Sequence, residues 1–196
     1  MELEINIPTS LNEISLGDFQ QYWESEQTDI DKLTYILKLT PSTIGGLKRK
    51  YFNELIEIID KLLNSEVEFT QFVTLGGVDF GFIPNFENIS QAEFIDIDEN
   101  ISDISTLHTA CAVMFRQIKE REGIKYSVVD YNPEYGFDEV MKHLPLGVAL
   151  GSKVFFWTLG KELSQIIPSY LAEEVVEEMN TAQNINSQSG GVGMAQ

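Results

Sequence analysis

The sequence has little positive charge and no long uninterrupted apolar run. Its 196 residues include 13 Lys and Arg against 31 Asp and Glu, a formal net charge of −18. A surplus of this size repels phosphate backbones and anionic headgroups, so we expect no nucleic-acid partner and no membrane partner. The most apolar stretch, Leu144 to Gly160, contains Lys153 near its middle and is short for a bilayer, so no membrane span is predicted.

Cysteine and histidine are also scarce, which limits the metal chemistry that the chain can build. Cys111 is the only cysteine, so no intramolecular disulfide is possible, and its apolar surroundings predict a buried thiol. His108 and His143 belong to no H-E-x-x-H motif, and one cysteine cannot form a thiolate zinc site. A concave site that joined either histidine to two carboxylates would argue for chemistry.

Three further fragments resemble chemical motifs only in part. The run from Asp96 to Ser102 begins like a calcium loop, but Ile101 and Leu107 stand where that loop needs Gly and Glu. The basic cluster from Gly45 to Lys50 lacks the spacing of a phosphate-binding loop and suits a solvated first helical turn. Ser152 lacks the surrounding G-x-S-x-G pattern. We therefore expect no enzyme activity and no catalytic, cofactor-binding or metal-binding residues.

One phrase occurs twice in the chain, from Ile7 to Phe19 and from Ile83 to Phe94. In both copies a proline is followed by Ile-Ser-x-x-acid-Phe, which is typical of a capping box at the start of a helix. The pattern predicts Ser15 and Ser90 as N-caps and the two final phenylalanines as core residues. The copies reflect either a structural duplication or two coincident corners of a common kind.

Apolar periodicity predicts a mostly helical protein. Residues recurring at three- and four-residue steps mark the clearest helix, from Leu47 to Leu63. Other helices are expected after Ser15, after Thr28, from Pro41, after Ser90, from Ser105 to Arg121, from Phe137 to His143 and from Pro145 onward.

Strand patterns are few. Val67 to Ile83 alternates on both sides of Gly76-Gly77 and predicts a β-hairpin, and short strands are expected from Leu3 to Ile7 and from Lys125 to Val129. The predicted class is α+β, mostly α-helical with a small antiparallel sheet. A single domain is expected over residues 1–179. Residues 180–196, rich in Asn, Gln, Ser and Gly, are expected to form a flexible tail.

Two features favour association with another protein. Between Leu62 and Phe115 the chain has nine acids and no base, which indicates either a solubilising surface or an acidic face for a basic partner. Phe155-Phe156-Trp157 places rings on more than one side of a helix, while Gly147 to Gly151 permits close helix packing within a core or at a dimer seam. A homo-oligomer is possible on this pattern.

Several phrases together resemble small proteins encoded among the virion genes of tailed bacteriophages, in particular tail assembly chaperones. The phrases are Ile7 to Phe19, Phe80 to Pro84, Met114 to Arg116, and Pro145 to Gly151 with Phe155 to Trp157. The resemblance implies an acidic, helical, non-enzymatic protein that holds the tape-measure protein in the host cytoplasm before the tail tube forms. It also implies that a longer, frameshifted form can exist.

The resemblance leaves alternatives open. A structural component of the virion, such as a head–tail connector or neck ring protein, would also be small, acidic and oligomeric. An acidic inhibitor that mimics DNA and blocks a host defence enzyme would explain the charge but not the resemblance. An enzyme is the remaining possibility, since the members of a catalytic triad can be distant in sequence.

Overall fold

Residues 5–159 are described by the structure, a computed structural model. The first half of this region is helical, with short turns between the helices. α2 continues directly into a π-helical turn, Lys32–Ile36. The bounds are α1 Leu16–Glu24, α2 Asp29–Asp31, α3 Pro41–Gly45 and α4 Arg49–Leu63.

The second half mixes strands and helices. It opens with a β-hairpin and closes with a helix, α8, that the structure describes over residues 146–159. The intervening bounds are β1 Phe72–Leu75, β2 Val78–Phe82, α5 Gln91–Ile101, α6 Leu107–Met114, β3 Phe115–Glu122, β4 Lys125–Val128 and α7 Phe137–Met141. The α+β class, mostly helical with a small antiparallel sheet, is confirmed.

Side-chain caps begin the helices where the sequence predicts them. The hydroxyls of Ser15, Thr28 and Ser90 each accept from the backbone N–H three residues later, at 3.1, 3.2 and 3.2 Å. At Ser90 the reciprocal bond is present too, because Glu93 accepts from the Ser90 amide. Asp18 instead accepts from the Ser15 hydroxyl at 2.6 Å, so the first copy of the repeated phrase has the weaker box.

The four strands form one antiparallel sheet in the order β1-β2-β3-β4. Gly76 and Gly77 join β1 to β2 with φ of +57° and +82°, which a two-residue hairpin turn requires, so the predicted hairpin is confirmed. Its first strand begins later than predicted, at Phe72. Residues 5–7 are not a strand in the structure.

The predicted helix from Ser105 to Arg121 is wrong in its second half. α6 ends at Met114, and residues from Phe115 onward form β3, with Phe115 opposite Phe82 and Gln117 opposite Phe80. Arg, Gln, Lys and Glu favour helix locally. Here pairing with β2 and β4 overrides that preference, because it satisfies the hydrogen-bonding groups of the β3 backbone while Phe115 stays buried.

Buried apolar side chains come from the N-terminal helices as well as from the sheet and α5 to α8. Leu107, Cys111 and Met114 of α6 are buried against α5 and α7, and burial raises the pKa of the Cys111 thiol to about 12. Phe19 is buried as predicted, but Phe94 is 44% exposed, so the two phrases differ in where their final ring points.

Close packing at the glycines of α8 is confirmed. A Cβ on Gly147 would overlap the Asn12 side chain, and one on Gly151 would overlap the Glu68 carbonyl oxygen. These small residues therefore let the segments before α1 and β1 approach the helix backbone within the chain, which is one of the two predicted uses of this motif.

The chain divides into two compact units, residues 1–154 and residues 155–196. Of the second unit the structure describes only residues 155–159, which are helical and include Phe155 to Trp157. The predicted tail over residues 180–196 lies outside the described region, and the single-domain prediction for 1–179 stays a prediction. Within residues 5–159, no helix combines the length and the apolar character needed to cross a bilayer.

Candidate functional site

α4 presents an apolar face that the rest of its unit covers only in part. Leu55 and Ile59 are buried, whereas Tyr51 is 51% exposed and Ile58 is 43% exposed. Tyr51 and Ile58 are seven residues apart, so they lie on one line along the helix beside the buried pair. We call this line the α4 ridge. It offers an aromatic and an aliphatic side chain to a partner without any rearrangement of the core.

Ion pairs of Lys32 link α4 to α2. Lys32 Nζ lies 2.7 Å from Asp60 Oδ1 and 3.3 Å from Asp29 Oδ1, so one ammonium ties α4 to α2. The pKa of Lys32 is raised because its hydrogen bond to Asp60 favours the charged form. The predicted basic cluster at the start of the helix is solvated, since Lys48, Arg49 and Lys50 are all exposed. The Lys32 ion pairs therefore add a link between α4 and α2, in addition to the buried contacts of Leu55 and Ile59.

A second feature is a polar cleft of about 510 Å³ that contains both histidines. This volume falls in the range of small-molecule sites, although such sites are mostly apolar. No sequence motif indicates that His108 and His143 line the same cleft. The lining residues are Ser15, Gly17, Asp18, Gln20, Gln21, Glu24, Lys38, Ser105, His108, Glu139, Lys142 and His143.

Gln20 contacts His108 in the polar cleft. The Gln20 side-chain nitrogen donates to the carbonyl oxygens of Ile104 at 2.6 Å and Ser105 at 3.2 Å, and it lies 3.0 Å from His108 Nδ1. The two amide hydrogens already have these two carbonyl oxygens as acceptors, so the contact with Nδ1 leaves the tautomer of the ring open. Burial lowers the pKa of His108, and the charge of Lys142 lowers it further. The neutral form of the ring is therefore favoured down to a lower pH than in an ordinary histidine.

Two of the three carboxylates that line the polar cleft are in ion pairs. Asp18 lies 2.8 Å from Lys38 Nζ and Glu139 lies 2.7 Å from Lys142 Nζ. Histidine and carboxylates in one cleft are the arrangement that argues for chemistry, so this geometry counts against the non-enzymatic expectation. In residues 5–159, no three His, Cys, Asp or Glu side chains are placed to hold a metal ion. The arrangement can hold or move a proton at His108 but presents no assembled triad.

A buried polar network links α5 to β3. Arg116 donates to Glu93 through a terminal nitrogen and to the Val113 carbonyl oxygen through Nε at 3.0 Å. Burial raises the pKa of Glu93, but the bonds from Ser90 and the charge of Arg116 outweigh it, so the net pKa is lowered. The Arg116 guanidinium also lies 5.6 Å from the centre of the Tyr131 ring.

Tyr131 makes a second link between this network and α5. Its hydroxyl donates to Asp96 Oδ2 at 2.6 Å, and its pKa is raised by burial and by that bond. Asp96 is the first residue of the partial calcium motif. The motif lies within α5, whose helical backbone continues to Ile101, so Asp96 serves as a hydrogen-bond acceptor and the run does not form a loop.

Ser152 is placed for packing. Its hydroxyl is buried and donates to the Ala149 carbonyl oxygen at 2.8 Å, and it lies 4.0 Å from the buried Cys111 sulfur. A nucleophilic serine must face a substrate and a base. In this structure neither histidine bonds to Ser152 within the described region.

Comparison with known proteins adds no assignment. No protein family matches the chain, and no curated protein or solved structure shows detectable similarity to it.

Proposed function

We propose that this chain is a non-enzymatic bacteriophage assembly protein, a tail assembly chaperone that binds the tape-measure protein in the host cytoplasm. The proposal rests on the phrases that resemble such proteins and on the α4 ridge. Tape-measure proteins are long and helical, so a chaperone for one must offer apolar surface to a helix along its length.

The α4 ridge is the observation that carries the proposal. Tyr51 and Ile58 stand two turns apart with the exposed Glu54 between them, which is the spacing at which two helices pack side by side. Because each side chain is already about half buried, its full burial would contribute about half of the roughly 1.5–3 kcal/mol of a fully exposed one. A client helix with apolar residues at matching spacing would therefore bind specifically along this short line of α4.

The acidic character of the chain supplies the second requirement of a chaperone. A net charge of −18 keeps a complex with an apolar client in solution. Since the two anchors of the ridge are apolar side chains, we expect client binding to weaken only modestly with salt.

Co-expression with the tape-measure protein of the same phage tests the proposal. The unchanged chain should keep the client soluble and elute with it, whereas Tyr51→Asp and Ile58→Asp should each abolish the complex, since desolvated aromatic and aliphatic anchors dominate such interfaces. Ile30→Asp is the matched control, because Ile30 is 54% exposed and belongs to α2, not to the ridge. Circular dichroism should show that all three variants are folded.

Two results would overturn the proposal. One is a client that stays equally soluble with the ridge variants as with the unchanged chain. The other is the protein itself in stoichiometric amounts in purified virions by mass spectrometry. That second result would favour the connector or neck ring alternative, because an assembly chaperone leaves before the particle is complete.

A further inference from the structure

The turn between β3 and β4 carries the most exposed large apolar side chain that the structure describes. Ile124 is 88% exposed, next to Gly123 with φ of +61°. An isoleucine at a turn has no local benefit, because solvent-exposed turns are normally polar. At the tip of the hairpin, the Ile124 side chain is accessible to a binding partner.

The hairpin that carries Ile124 is anchored at both strands. The Tyr126 hydroxyl of β4 donates to the Phe82 carbonyl oxygen, and the Tyr126 ring packs edge-on against Phe72 at 4.8 Å. On β3 the Arg121 guanidinium lies 3.9 Å from the centre of the Phe72 ring. A tip that is already held in place loses little conformational entropy when it binds.

A small pocket lies at the other end of the same hairpin. Its volume is about 100 Å³, two-thirds of the roughly 150 Å³ cavity that accepts benzene, so it suits a side chain of about four carbons. Carboxylates of Asp130 and Asp138 belong to its wall. The other lining residues are Thr109, Ala112, Arg116, Val129, Tyr131, Asn132, Pro133 and Phe137.

The basic residue beside Ile124 is opposite in charge to the two carboxylates at the pocket. Lys125 follows Ile124 and makes no ion pair in the described part of the chain, and the same holds for Asp138 at the pocket. Asp130 is almost fully exposed and 3.7 Å from Lys119. An incoming Ile-Lys pair would place its aliphatic part among apolar residues and its ammonium beside two carboxylates.

We propose that Ile124 of one copy enters this pocket of a second copy, so that the chain associates with itself head to tail. The tip cannot fill its own pocket, since Ile124 and Val128 are separated by about 13 Å of extended strand. Because the two surfaces differ, the contact is heterologous and repeats into a ring or a filament. This inference does not depend on the client that the α4 ridge binds.

Sedimentation velocity across a concentration series of the full chain tests the contact. The unchanged chain should assemble beyond the monomer, and Ile124→Asp and Ala112→Leu should each weaken assembly about tenfold or more, because one loses the apolar tip and the other fills the pocket. Ile30→Asp, an exposed isoleucine elsewhere, should assemble normally. A chain that stays monomeric at millimolar concentration, or variants that assemble normally, would overturn the proposal.

A mixing experiment distinguishes this contact from any symmetric one. Ile124→Asp keeps an intact pocket and Ala112→Leu keeps an intact tip, so an equimolar mixture should form dimers and stop there. Each variant alone should remain monomeric while circular dichroism shows it folded. A mixture that contains only monomers would refute the head-to-tail arrangement, even if both single variants fail to assemble.

Charge reversal gives a second, independent measure. Lys125→Glu should weaken assembly, and adding Asp138→Lys in the same chain should restore it, since the pair then attracts with opposite polarity. Failure of the second change to restore assembly would exclude the proposed pairing of these two residues.

Discussion

The ring of Tyr126 occupies the space that a side chain at position 81 would need. A Cβ placed on Gly81 would lie 2.6 Å from Tyr126 Cε2 and 3.0 Å from Cδ2. Gly81 stands in β2 opposite Arg116, so the glycine lets the β4 ring close over the sheet and fix the β3–β4 hairpin. The absence of a side chain at Gly81 therefore lets Tyr126 hold the β3–β4 hairpin, which carries Ile124, against the sheet.

Gly81→Ala should destabilise the protein by about 1–3 kcal/mol, because the new methyl group forces the Tyr126 ring off the sheet. The free energy of unfolding from urea titration measures this. Gly45→Ala is the control, since a Cβ there meets nothing within 4 Å and the change should be neutral or slightly stabilising. With Tyr126→Ala already present, Gly81→Ala should cost much less, and full additivity of the two changes would contradict the packing argument.

Breaking the buried pair between Glu93 and Arg116 from one side should cost about 3–5 kcal/mol, because it leaves a buried charge without its partner. Glu93→Gln tests this, and the combination of Glu93→Leu with Arg116→Met should cost less than the single change. The exposed pair of Lys50 and Glu54, 3.7 Å apart, is the control and should be worth at most about 1 kcal/mol. Equal costs at the two pairs would disprove the role of burial.

The same pair predicts a pH dependence. The pKa of Glu93 is lowered from its ordinary 4.5 in the folded protein, so the unfolded chain binds the proton first as the pH falls. The stabilisation is complete above that ordinary value and is lost as the pH falls through the folded pKa. Urea titrations at a series of acidic pH values should show a steeper loss for the unchanged chain than for Glu93→Gln, and parallel curves would refute it.

His108 should take up its proton at a lower pH than an ordinary histidine, because burial and the charge of Lys142 lower its pKa. The unfolded chain takes up a proton first, so this group reduces stability as the pH falls through 6.5 towards the folded pKa. Nuclear magnetic resonance titration measures the midpoint, with His143→Gln to assign the remaining histidine. A midpoint above 6.5 would show that the described cleft geometry is wrong.

Removal of the two serine caps should have unequal effects. Ser90→Ala should cost about 1–2 kcal/mol, because it removes one half of a complete capping box, and Ser15→Ala should cost nearer 0.5–1 kcal/mol, since Asp18 also pairs with Lys38. Thermal unfolding of the two variants beside the unchanged chain measures the difference. A larger loss at Ser15 would reverse the ranking of the two caps.

Several local features could be predicted because their causes lie within a few residues. The caps at Ser15, Thr28 and Ser90 depend on an amide three positions away, and the turn at Gly76-Gly77 depends on backbone freedom at two residues. The α4 helix was readable from its apolar spacing alone. These interactions need no residue from a distant part of the chain.

The features that define the candidate sites depend on residues far apart in sequence. β3 has helix-favouring residues and becomes a strand only because β2 and β4 supply its backbone partners. Gln20 meets His108 across 88 positions, and Glu93 meets Arg116 across 23. The charge of −18 and the single cysteine are properties of the sequence itself. Which side chains stay exposed, as Tyr51 and Ile124 do while Phe115 does not, was decided by how the helices and strands pack, because burial is a property of the assembled chain and not of any single segment.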